Sequence, residues 1–162
     1  MSDIRFYHLE RQSVEDALPL LVRKIVETGH TVLIQTKDLE ETQYLDTHLW
    51  AFSPQAFLPH GADCLPYIDD SDFNIEYCPI FISHNLDNRN NANAVIMING
   101  AEGLDIGQFV IGCELFQGYD PMILKQCRQK WKSYQQEGHI LTYWQQDPNG
   151  RWGEKARHAP DT

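Results

Sequence analysis

The sequence predicts one α/β domain, a mostly parallel central sheet covered by helices. Two observations carry that expectation. The first fifty residues alternate short β-rich runs with segments of helical period, the β-α-β-α order that favours parallel pairing. The 162 residues, 42% of them hydrophobic, also match the size and composition of one packed core. The domain is expected to span residues 1–146, with 147–162 as a C-terminal tail.

IRFYHL (4–9) is rich in β-formers and reads as the first strand. SVEDALPLLVRKIVETGH follows with Ser13 as N-cap, and Val14, Ala17, Leu18, Leu21, Val22 and Ile25 recur at helical spacing. Gly29 is a natural stop, and Pro19 conflicts with the helix because it lacks an N–H. TVLIQT (31–36) reads as a buried strand. DLEETQYLDTHLWAF (38–52) starts on an Asp cap and places Leu39, Thr42, Leu45, Leu49 and Phe52 on one side. Residues 53–77, with their prolines and acidic cluster, read as a long surface loop. CPIFIS (78–83) and NAVIMING (93–100) are strands, and GQFVIGCELF (107–116) is a strand or strand plus turn. PMILKQCRQKWKSYQQEG (121–138) is the last helix, opened by Pro121 and closed by Gly138, and HILTYW (139–144) is the final strand. From Gln145 onward no hydrophobic period continues.

The formal net charge of −10 disfavours a general nucleic-acid coat, which leans on broad basic surfaces. MSDIRFYHLE lacks a basic segment followed by an apolar stretch, so no signal peptide is expected, and the apolar runs are too short to span a bilayer. Cys64, Cys78, Cys113 and Cys127 form no CxxC pair and are expected as buried free thiols in a cytoplasmic protein.

Motifs for enzymatic chemistry are weak. There is no GxGxxG after the first strand and no GxxxxGK[ST], and NGAEG (99–103) reads as a turn. DDSDFNIE (69–76) lacks the glycine and the final carboxylate of a calcium loop. His60 and Cys64 have half of a zinc spacing, with Cys78 and His84 too far along to complete it. His48 and His60 read as structural histidines. A nucleotide- or metal-dependent enzyme on the same scaffold is the alternative reading, with no phosphate-binding loop to support it.

One charge anomaly stands out. Between Asp38 and Leu124 the only cation is Arg89, against fourteen carboxylates, whereas Lys125, Arg128, Lys130 and Lys132 cluster around Trp131. On a helical wheel Lys125, Arg128 and Lys132 fall within about 60°. Leu124 and Trp131 lie at the edge of that sector, and Ile123, Cys127 and Tyr134 continue into the apolar face. Solvating lysines that complement the helix dipole are the plain explanation. A pocket for a ligand carrying a carboxylate and an aromatic ring is the specific one. Direct single-stranded-DNA binding through Trp131 and the lysines would need a longer basic groove. Trp50 and Phe57 flank Pro54 and read equally as core plugs or interface anchors.

FYHL, LDTHLW with FLPH downstream, CPIFIS and RQKWKSYQQEGHILTYWQ together resemble the chi subunit of bacterial DNA polymerase III holoenzyme, in order and spacing over residues 4–146. The resemblance implies a Rossmann-like domain with helices on both faces, no catalysis, no cofactor and no metal. It implies an adaptor between the psi subunit of the clamp-loader assembly and the single-stranded-DNA-binding protein, so that contact with DNA is indirect. Arg128 and Lys132 match the family's basic residues for that protein's acidic C-terminal tail, and Trp131 matches their neighbouring aromatic. Where the family can place a further lysine this chain has Leu124, with Lys125 beside it. Trp50 and Phe57 match aromatic positions used toward psi or a competing helicase-like partner.

Overall fold

A computed structural model describes residues 1–51, 60–64 and 74–161, with the Trp50 and Tyr77 side chains outside that set. Along the chain run β1 (Asp3–Leu9), α1 (Val14–Glu27), β2 (Val32–Gln35), α2 (Leu39–Ala51), β3 (Gly61–Ala62), β4 (Ile80–Ser83) and β5 (Ala94–Ile98). β6 (Ile111–Gln117), α3 (Pro121–Gln136), β7 (Ile140–Gln146) and β8 (Trp152–His158) complete the order. The strands form one sheet ordered β3-β4-β2-β5-β6-β1-β7-β8. Every pairing is parallel except β7 with β8. This is the α/β, Rossmann-like architecture the sequence leads one to expect.

Helices cover both faces, so several inner strands are buried on both sides rather than on alternate residues. β2, β4 and β5 are buried at every position. α1 and α2 set Val14, Leu18, Val22, Leu45 and Leu49 against Val32, Ile34, Ile82, Ile96 and Leu115 on one face. α3 sets Cys127 and Tyr134 among Ile4, Phe6, Phe116 and Leu141 on the other. Burial pushes the Cys113 and Cys127 thiols up to about 12, and they pack as small apolar groups. Cys64 and Cys78 are only half-buried, and all four thiols are free.

Several local expectations change. The 147–162 segment is not an unstructured tail. Its residues 152–158 form β8, which pairs antiparallel with β7, and Trp152 packs edge-on to Tyr7 at 5.3 Å. The strand is mostly exposed, so it carries no hydrophobic period to read. The turn before it is built by Asp147, whose Oδ1 accepts from the Asn149 and Arg151 amides at 2.8 and 2.9 Å. Part of the expected 53–77 loop is structured as β3, which pairs with β4. Leu39 is exposed, leaving Thr42, Leu45 and Leu49 as the buried side of α2. α1 runs through the buried Pro19, and Ser13 stands at its N-cap without a side-chain bond. Asp38 does cap α2, accepting from the Glu41 amide at 2.9 Å. Among the described residues no helix is long and apolar enough to cross a membrane.

One buried ion pair ties α3 to the sheet. The Glu114 side chain on β6 is fully buried, and its carboxylate receives Lys130 Nζ at 3.0 Å and the Tyr134 hydroxyl at 2.8 Å. Lys130 also donates to the Ala101 carbonyl. Burial holds the Glu114 carboxyl above its ordinary range, with Lys130 and the Tyr134 hydroxyl pulling the other way. A carboxyl whose pKa is higher folded than unfolded binds protons more tightly when folded, so its contribution to stability falls as pH rises between the two values.

Lys130→Met should therefore cost about 3 kcal/mol in urea unfolding at pH 7, because Glu114 is left charged and buried without its cation. The deficit should shrink as pH falls toward the ordinary carboxylate range, because the folded-state carboxyl, held above that range and higher still without Lys130, takes up its proton before the unfolded one does. Adding Glu114→Leu should recover most of the loss at neutral pH.

Candidate functional site

The site grows from how α3 begins. Pro121 occupies the first turn, and Asp120 Oδ1 accepts from the Met122 and Ile123 amides at 3.0 and 3.4 Å. With the start fixed and Lys130 held by Glu114, the rotation of the helix is set. Cys127 and Tyr134 face the core, and Ile123, Leu124 and Trp131 pack at its margin. The Lys125, Arg128 and Lys132 side chains face solvent, with no hydrogen bond or ion pair to any described residue. Dipole complementarity does not account for them, since the last turn of α3 carries no cation and the dipole's influence fades within one turn.

Beside the three cations lies a cluster of rings. Trp131 meets Phe6 edge-on at 5.3 Å and Tyr143 at 5.9 Å, and Phe6 stacks on Tyr143 at 6.0 Å. The β1–β7 register sets Phe6 opposite Tyr143, which brings both under α3. Tyr143 OH lies 2.7 Å from His8 Nδ1, and His8 Nε2 lies 3.2 Å from Glu10 Oε1. The Tyr143 hydroxyl and the imidazole thus share one hydrogen bond, and the Glu10 carboxylate stands close to the ring's other nitrogen. Burial lowers the His8 pKa, opposed by Glu10 and reinforced by Arg128. Burial also pushes Tyr143 up to about 12, and Arg128 acts in the opposite direction. The guanidinium thus lies within electrostatic reach of both side chains.

The topology explains this placement. Adjacent β1 and β6 send the chain in opposite directions, β1 through α1 to β2 and β6 through α3 to β7, which makes their carboxyl ends a switch point. There the Gly118 amide donates to the Leu9 carbonyl at 2.9 Å. A Cβ on Gly118 would sit 1.8 Å from His8 Nε2, so the imidazole occupies the space beside it. The chain packs a histidine at this crevice and turns a cationic helix face outward next to it.

Chemically, the arrangement offers a guanidinium and two ammoniums for a carboxylate, and a partly buried indole–phenol edge for an apolar ring. The structure brings Lys125, Arg128, Trp131 and Lys132 together on α3. Lys130, the fourth cation of the cluster, is internal. Trp50 lies in the last turn of α2, the helix packed on the opposite face of the sheet, and Phe57 lies outside the described residues.

The residues weighed for other chemistry are engaged locally. His60 Nε2 is 2.9 Å from Asp46 Oδ1, and His48 Nδ1 is 2.8 Å from the Tyr44 carbonyl. His84 Nδ1 is 3.0 Å from Asp63 Oδ1. Among the described residues no three His, Cys, Asp or Glu side chains gather as metal donors. Asn99 and Gly100 of NGAEG form a turn with positive φ. Of the calcium-like run, residues 69–73 lie outside the described residues.

The ring cluster and the internal role of Lys130 are what the sequence reading missed. The wheel held a signal for Lys130, which falls about 40° from Tyr134 inside the apolar sector. A lone glutamate within the strand IGCELF signalled its partner.

A family model described as DNA polymerase III chi subunit, HolC, matches residues 1–142, ending before β8. A protein of Rickettsia prowazekii (strain Madrid E) called "Probable DNA polymerase III subunit chi" is 24% identical over 166 residues, covering 96% of this chain and 93% of that protein.

Gly118→Ala should lower stability by about 1–3 kcal/mol, because the new methyl must displace the His8 ring from its hydrogen bond to Tyr143 and its place beside Glu10. On a His8→Ala background the same change should cost little. Thermal unfolding of the four proteins in that cycle checks the coupling.

Proposed function

The chain belongs to the DNA polymerase III chi subunit family, and we propose that it is a cytoplasmic, non-catalytic adaptor. On this reading it joins the clamp-loader complex, through psi, to the acidic C-terminal tail of single-stranded-DNA-binding protein. The supporting observation is the exposed stripe of Lys125, Arg128 and Lys132, whose side chains are unpaired among the described residues, bordering the Trp131–Tyr143 edge. That is one carboxylate site and one ring site side by side in a chain of net charge −10.

In the proposed complex the tail's terminal carboxylate is taken by Arg128, with Lys132 and Lys125 neutralising the acidic residues before it. The tail's aromatic ring settles against Trp131. The ion pairs form at a partly exposed surface, so salt screens them effectively, while overall like charge slows the approach. Weak, salt-sensitive, rapidly exchanging binding follows. The psi contact is assigned to Trp50 and Phe57, where psi or a helicase-like partner would dock. Because α2 and α3 pack on opposite faces of the sheet, both partners could bind at once.

Titrating a peptide of the tail should give micromolar affinity that weakens steeply with salt. The Arg128→Ala/Lys132→Ala variant should lose about tenfold or more. Equal affinities for the two proteins would reject the tail assignment. Separately, Trp50→Ser/Phe57→Ser should abolish co-purification with psi and leave tail binding intact, and retention of psi by that variant would reject the second interface.

A further inference from the structure

A second cationic surface lies between α1 and β8, away from the α3 stripe. Three depressions adjoin there. One of about 240 Å³ is lined by Leu20, Leu21, Leu115, Tyr7 and Trp152 among others. It shares Trp152 with a neighbour of about 550 Å³ beside the β7–β8 turn. It shares Tyr7 and Lys24 with another of about 280 Å³ over β1 and β7. Leu20 is 57% exposed and Trp152 38%, so the apolar floor meets water.

The charge around this floor runs against the rest of the chain. Arg5, Arg11, Lys24, Arg151, Lys155 and Arg157 line the three depressions, six of the 13 Lys and Arg residues. The carboxylates lining them, Asp3, Glu10 and Asp147, are each engaged locally. Asp3 pairs with Arg5 at 2.9 Å, Glu10 faces His8, and Asp147 closes its own turn. The Arg11, Lys24, Arg151 and Lys155 side chains have no hydrogen-bonding or ionic partner among the described residues. Protection of an edge strand explains charges on β8 itself. It does not explain Arg11, before α1, or Lys24, on α1.

We propose that this groove docks an acidic segment of a partner polypeptide that carries an aliphatic or aromatic anchor. The anchor enters the apolar depression between Leu20 and Trp152, and flanking carboxylates reach Lys24 on one side and Arg11, Arg151 and Lys155 on the other. The lining favours a peptide over nucleic acid, since a recess walled by Leu20, Leu21 and Leu115 suits an alkyl or phenyl group, whereas nucleotide bases need open aromatic faces. A second copy of this chain would bring its own charge of −10. The free edge of β8 is a poor alternative, because the ladder with β7 is interrupted at Tyr143/Trp144 and the edge carries the Glu154–Arg157 pair.

The test uses the Arg128→Ala/Lys132→Ala background, so that the α3 stripe contributes nothing. The probe is a short fluorescein-labelled peptide in which glutamates alternate with leucine and phenylalanine, followed by anisotropy. Binding should weaken at least tenfold with Arg151→Glu/Lys155→Glu, and again with Leu20→Ser, a substitution on a different element. A control peptide with serine at the apolar positions should bind at least tenfold more weakly. Equal affinity across these proteins, or equal affinity for the serine peptide, overturns the proposal. So does displacement of the probe by a single-stranded oligonucleotide that binds more tightly, or a concentration-dependent dimer that Leu20→Ser abolishes.

Discussion

The contact between Lys130 and Glu114 governs what this molecule presents to its surroundings. A carboxylate at the centre of a parallel sheet is costly to bury, and a cation and a hydroxyl supplied by α3 offset that cost. With Lys130 pointing inward, the period of the helix places Arg128 and Lys132 outward and leaves Trp131 at the margin. The same strand continues to Gly118, where the packing of His8 brings β1 and its rings into register with α3. One buried pair thus fixes the rotation of the helix, and through it the composition of the exposed stripe.

Much of the framework was legible because apolar side chains report it directly. Runs such as VLIQ and AVIMI admit no exposed face, so their burial between two helical layers follows from their chemistry. The exposed cations of α3 followed from their spacing for the same reason. What stayed illegible depended on partners distant in sequence. Lys130 reads like its neighbours until Glu114 is beside it, and Tyr143 joins the site only because β7 pairs with β1. Leu39 keeps the helical period yet faces water in the first turn of α2. β8 was hidden for a different reason. It lies at the rim and is held by a ladder and a turn, neither of which needs hydrophobic residues.

An acidic protein with two confined basic surfaces has a particular electrostatic character. At long range it repels polyanions, including the nucleic acid on which a replication protein works. In the proposed complexes, each basic surface would act within about one Debye length, and the rings beside it would add a requirement for an apolar group. Discrimination then rests on the pairing of charge with shape, so neither a bare phosphate backbone nor a plain acidic tract meets both conditions.

The position of β1 also has a consequence for how the chain is made. Its partners are β6, which begins at Ile111, and β7, which begins at Ile140. At ordinary rates of synthesis the ribosome needs on the order of 5–20 s to travel from β1 to β6. Through that interval the first strand has been made but has nowhere to dock. Arg5 and His8, interrupting its apolar residues, make the waiting segment a poorer template for other nascent chains. An inner strand of the finished sheet is therefore among the last to be secured, and the fold closes only when the C-terminal third of the chain has emerged.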